Sequence, residues 1–249
     1  MPEWIRASVA AIAIAALAPS PVLAEEIPLA EAVVLAELND TDGDLGFHAL
    51  IDGEGWKRLK IVDPSKRVIL DVMNKGRLAK QGLTELFFES AEPGFDELTA
   101  EEFFERFPEG EYEIEAVGIE GDTLEGEALF THVMPAPANI TSPVSDCETP
   151  IELGAGVDLV IAWDAVTTSH PTIGTSDPGI VITGYEVTVE REEPEPVLVY
   201  RVDLPADATT LTVPAAFMAL GTAFKFAVLS REASGNQTSV ESCVDVAED

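Results

Sequence analysis

The chain has few cysteines, few bases and few sites of recognisable chemistry. Two cysteines in 249 residues, 96 positions apart at Cys147 and Cys243, give neither a C-x-x-C redox pair nor a metal-ligand spacing. In an exported chain such a pair reads as one structural disulfide, for which the chain-entropy model assigns about 4 to 5 kcal/mol. No G-x-S-x-G, H-E-x-x-H or G-x-x-x-x-G-K-[ST] occurs, so the common serine-hydrolase, zinc-protease and P-loop chemistries have no motif here. The three histidines, His48, His132 and His170, lie far apart in sequence. Lysine and arginine total 14 against 46 acids, a net charge of −32, which argues against nucleic acid or an anionic membrane as partner.

After the first 24 residues there is no apolar run long enough to span a bilayer. Those 24, "MPEWIRASVAAIAIAALAPSPVLA", carry one base, an apolar stretch over 9–18 and a Val-Leu-Ala ending, which predicts a secretory signal cleaved after Ala24. The mature chain then holds 45 of the acids, all but Glu3. A secreted or periplasmic location of bacterial style follows as an expectation.

The Pro-rich segment "VMPAPANITSPVSD" (133–146) divides the mature chain into units of about 110 residues, 25–135 and 136–249. Both halves show period-two alternation, the mark of half-buried strands. In "EYEIEAVGI" Tyr112, Ile114 and Ala116 share one face, with Glu111, Glu113 and Glu115 on the other. The runs at 46–51, 58–62, 67–72 and 123–133 read as further strands, as does 32–38, preferred over a helix across 29–38 because it runs straight into the Asp/Gly turn. One helix is signalled in "ELTAEEFFERFPEG": Thr99 and Glu102 make a capping box, Phe103, Phe104 and Phe107 form a buried face, and Pro108 with Gly110 ends it. Phe87, Phe88 and Phe95 are expected to join that aromatic core. In the second half about seven strands without a helix predict a sandwich.

The second half, about 138–246, resembles a fibronectin type III domain. "ANITSP" matches its opening strand, Trp163 in "IAWDAV" its buried tryptophan, "ITGYEVTVE" its third strand, "FMALGTAFKFAV" the run into the sixth strand, and "SGNQTS" the last turn. Met218, Leu220 and Phe224 depart from that pattern, and Phe224 removes the hydroxyl of the tyrosine corner. The first half is loosely similar to an immunoglobulin-like sandwich from a secreted bacterial protein. The fold class expected is all-β, two β-sandwich domains with one short helix in the first. The resemblance implies a non-catalytic spacer, adhesion module or binder of protein or carbohydrate.

Three stretches carry candidate sites. "NDTDGDLGFHALIDGEGW" (39–56) misses the EF-hand register from either start, since Leu45 or Ala49 falls where Gly or a bidentate acid is needed. It reads either as a strand-connecting turn whose acids cap their own amides or as a looser calcium site on Asn39, Asp40, Asp42 and Asp44. "DAVTTSHPTIGTSDPG" (164–179), between two strands, reads as a binding tip with Thr168, His170 and Asp177 or as plain spacing. Eight bases against two acids between Lys57 and Lys80 read as solvated strand edges or as a self-association patch through Lys57, Arg58, Lys60, Lys66 and Arg67. Sequons occur at Asn39, Asn139 and Asn236. The alternative to a binding module is a carboxylate-based hydrolase or carbohydrate-active protein, marked by a cleft with two facing acids, one of them buried.

Overall fold

The computed structural model describes residues 26–247; the signal expected at 1–24 lies outside them. The first half runs β1 (Glu26–Pro28), β2 (Glu31–Asn39), β3 (Asp44–Val62), β4 (Val68–Met73), α1 (Leu78–Gln81), β5 (Leu83–Glu89), α2 (Ala100–Arg106), β6 (Gly110–Gly118) and β7 (Thr123–Phe130). The second runs β8 (Ile140–Ser142), β9 (Ile151–Leu153), β10 (Leu159–Trp163), β11 (Ile182–Glu193), β12 (Leu198–Pro205), β13 (Thr210–Val213), α3 (Ala215–Met218), β14 (Ala223–Glu232) and β15 (Gln237–Val246). The protein is an all-β sandwich structure.

The runs expected as two strands at 46–51 and 58–62 are one 19-residue strand, β3. Its first part pairs with β2 and β5, its last part with β4 and β6, so the same strand serves both sheets of the first sandwich. The change of sheet falls at Gly53 and Gly55, where the packing leaves no room for a side chain. A Cβ on Gly53 would lie 2.9 Å from Leu29, and one on Gly55 2.8 Å from Ile119.

Alternation buries Tyr112, Ile114 and Ala116 of β6 beneath the sheet, packed with Phe47, Trp56, Phe103 and Phe130. Helix α2 has the capping box, with Thr99 accepting from the Glu102 amide and Glu102 accepting from the Thr99 amide. At the start of β6 the Tyr112 hydroxyl donates to the Pro108 carbonyl at 3.1 Å, the tyrosine-corner bond. The corresponding residue of the second half, Phe224, is buried without a hydroxyl.

The second core packs β13-β10-β8 against the sheet that carries β12, β11, β14 and β15, around Trp163, Tyr185, Val187 and Phe226. Cys147 and Cys243 form the disulfide. Val157, just ahead of β10, is 47% exposed.

The two sandwiches share a sheet. β15 pairs in parallel with β2, Gln237 opposite Glu37 and Ser239 opposite Asn39, so hydrogen bonding continues across the junction. Asn236, 1% exposed, accepts from the Ala36 amide at 2.8 Å and donates to the carbonyls of Thr131 (2.9 Å) and Val133 (3.0 Å).

Candidate functional site

The continuous sheet makes a concave face spanning both halves. β5, β3 and β2 bring Val33, Leu35, Leu50 and Phe87 to it, and β15, β14, β11 and β12 bring Gln237, Leu229, Glu186 and Arg201. They line a cleft of about 610 Å³, within the range of small-ligand sites. Its rim is ordered by ion pairs: Arg201 Nε lies 3.2 Å from Glu186, and Arg231 reaches both Glu186 and Asp203. Phe87, expected in the core, is 58% exposed here, because in the β3–β5 register it opposes Leu50 on the cleft face.

Next to this apolar floor is an acidic hollow of about 240 Å³, lined by Glu37, Asp44, Glu92, Glu190 and Glu241 among others. His48 stands where the two meet, 5% exposed. Its Nε2 is 3.0 Å from Glu92 Oε1 and its Nδ1 3.6 Å from Glu37 Oε2. Glu37 also accepts from the Gln237 side-chain amide. Burial holds the Glu37 carboxyl above the ordinary range, opposed by His48 and Gln237 and reinforced by Glu92 and Glu89. Asp44 is pushed up to about 6 by burial and by Glu92, Asp42 and Glu241.

No protein-family model matches this chain, and no curated protein matches its sequence. Among solved structures it is similar to the FN1-FN3 domains of chicken CNTN1, at 8% identity and a TM-score of 0.33, covering 88% of this chain and 65% of that one. It is similar also to a 1.5-MDa bacterial ice-binding adhesin (12% identity, TM-score 0.28, 91% of this chain and 66% of that one). A two-domain fibronectin type III segment of chicken tenascin gives 10% identity, TM-score 0.26, and 87% and 98% coverage. The chain thus spans just under two thirds of the first two. These scores are low, and the fold is read from the strand pairing itself.

Of the four residues considered for calcium, Asn39 and Asp44 both line the acidic hollow. Asn39 and Asp42 bond each other, and the Asn39 side chain accepts from the amides of Thr41 and Asp42, closing the turn between β2 and β3. Asp40 turns to the second half, where it takes a hydrogen bond from His170 Nε2 at 3.0 Å, while Asp44 faces the acidic hollow.

The 164–179 segment is engaged within the molecule. Its backbone bonds the stretch between β7 and β8 at three points: Ala136 to Thr168, His170 to Met134 and Thr175 to His132. Ile173 packs on the first core. His170 is buried; its Nδ1 accepts from the amides of Thr172 and Ile173, so the proton sits on Nε2 and points at Asp40. Thr168 is exposed and Asp177 half-buried, its carboxylate accepting from the Gly179 amide.

Of the five bases considered for self-association, four have acidic partners in the same chain. Arg58 pairs with Asp71, Lys60 with Glu115, Lys66 with Glu113 and Arg67 with Asp63. His132 lies against Phe104, ring centroids 4.4 Å apart and the planes tilted by 36°. Among the described residues no helix is long and apolar enough to cross a membrane.

Sequence reasoning missed Glu37, Glu89 and Glu92. A signal for Glu37 was present: the Asn39–Asp44 hairpin closure sets Glu37 opposite Gly46, next to His48 on the same face. Glu89 and Glu92 reach the site through the non-local β3–β5 pairing, which no local pattern reports.

Proposed function

We propose that the protein is an exported, non-catalytic binding or structural module whose partner, a protein or a carbohydrate, lies along the concave face shared by the two sandwiches. The β2–β15 pairing carries this reading, because it holds the two halves at a fixed angle and so preserves one cleft across them. An apolar floor with an exposed aromatic and a charged rim suits a sugar ring or an apolar peptide side chain flanked by polar groups. Export rests on the 1–24 segment and on a disulfide that persists only in an oxidising compartment. The test is a glycan and peptide array probed with the protein and with Phe87→Ala and Leu50→Lys. Ligands captured by the parent and lost in both variants support the reading; capture that survives both would place recognition elsewhere.

One observation favours a second reading, a carboxylate-based hydrolase. Glu37 and Glu92 flank His48 in a cleft, and the Glu37 carboxyl is raised by burial as a general acid requires. That reading expects turnover of chromogenic glycosides or esters that Glu37→Gln abolishes. Absence of turnover by the parent protein rejects it for those substrates.

A further inference from the structure

We propose that His48, Glu89 and Glu92 bind a zinc-class divalent cation at the acidic end of the cleft. One donor atom from each of the three lies within 4.8 Å of the others. The backbone sets this convergence. His48 and Glu89 are direct partners in the β3–β5 register. Glu92 follows β5 through a turn pinned to β3, with the Ser90 amide donating to the Phe47 carbonyl and Ser90 Oγ accepting from the Phe47 amide at 2.9 Å. Its carboxylate lies over Gly46, where a Cβ would come within 1.9 Å of Oε1. Only glycine leaves that cradle open.

The second layer of contacts orients the imidazole. Nε2 donates to Glu92 Oε1 at 3.0 Å, and Nδ1 lies 3.6 Å from Glu37 Oε2, so a cation taken at Nε2 calls for the other tautomer, with the ring proton on Nδ1 facing Glu37. That is the carboxylate–histidine–metal arrangement in which the rear acid fixes the tautomer and raises ligand basicity. One imidazole nitrogen with two carboxylate oxygens fits Zn²⁺, which takes mixed N/O donors, better than Ca²⁺, which takes oxygens alone. Three protein donors leave a coordination position facing the cleft, open to water or to an oxygen of a bound partner. A dication also offsets the crowding of Glu37, Asp44, Glu89 and Glu92 around one hollow. The inference goes beyond the binding reading and does not depend on it, since the ion can bind with no partner present.

The experiment is calorimetric titration of the chelator-stripped protein with Zn²⁺ alone, with Ca²⁺ in parallel and circular dichroism on every variant to confirm folding. The expected result is saturable one-to-one binding of Zn²⁺ and a rise in melting temperature. Glu89→Gln and Glu92→Gln should each weaken it by at least about tenfold, and Glu37→Gln, behind the ligand, by about 10- to 100-fold. Glu127→Gln, on a distant strand, should leave it unchanged. Because His48 is buried, the proposal does not hang on a His48 variant. No zinc binding, zinc binding that persists in both ligand variants, or displacement of zinc by equimolar Ca²⁺ would overturn it.

Discussion

Asn236 satisfies three backbone groups with one side-chain amide, one on β2 and two in the stretch that follows β7, at a position almost without solvent. Truncating it to alanine leaves the Ala36 amide buried without a partner and strips the half-buried carbonyls of Thr131 and Val133 of theirs, where water can partly replace it. Unpaired buried groups of this kind cost about 1–3 kcal/mol each where water cannot reach them, so Asn236→Ala should lower the unfolding free energy by about 2–4 kcal/mol. A urea denaturation midpoint unchanged from the parent protein would show that the junction does not depend on this residue. The same bonds bear on the sequon at Asn236: its Nδ2 is already committed to main-chain carbonyls, so a glycan there is incompatible with the closed junction.

At the scale of elements, the 164–179 segment ties the halves together, and Gly174 is its tightest point. The residue sits at φ +76°, and a Cβ on it would fall 2.0 Å from the His132 carbonyl oxygen. Gly174→Ala should therefore cost about 1–3 kcal/mol and release the segment from the stretch between β7 and β8. Hydrogen exchange is the measurement: the amides of His170 and Thr175 should exchange faster while those of β14 keep their protection. Equal exchange at all of these positions would mean that the segment absorbs the clash without letting go. Much of this architecture is legible in the amino acids, because its signals are local or unique. The period-two alternation of β6, the capping box at Thr99 and the single cysteine pair each point to one outcome. The continuous β3 was harder to read, since Asp52–Gly55 looks like a turn and only the packing of Leu29 and Ile119 against its glycines shows a bend instead. The cleft was not legible at all. It arises from a parallel pairing between strands 200 residues apart, Gln237 with Glu37, and from a register that turns Phe87 outward. Neither leaves a trace in the spacing of any one segment.

At the scale of the whole molecule, a net charge of −32 makes stability a function of pH and salt. Glu37 and Asp44 have folded-state carboxyls above their ordinary values, so the folded protein holds these protons more tightly than the unfolded chain. The contribution of Asp44 is fully present below its unfolded value, 3.8, and is lost as pH rises through about 6; that of Glu37 is lost in the same direction, as pH rises. Asp71, Glu102 and Asp146 act oppositely: their carboxyls are lowered by hydrogen bonds from Arg58, Thr99 and Thr149, so their contribution disappears only in stronger acid. The melting temperature of the metal-free protein should therefore be higher near pH ~5 than near pH ~7, with the gap narrowing as salt screens the acids. Asp44→Asn should raise the melting temperature at neutral pH and flatten this dependence, and should change nothing below the unfolded value of 3.8. A divalent ion at His48, Glu89 and Glu92 requires deprotonated ligands, so saturating zinc should reverse the trend and move the optimum toward neutrality. Calorimetric scans across pH with and without zinc separate the two effects. A metal-free protein whose stability rises steadily from pH ~5 to ~7 would show that the crowded acids of the cleft do not govern the fold's response to protons.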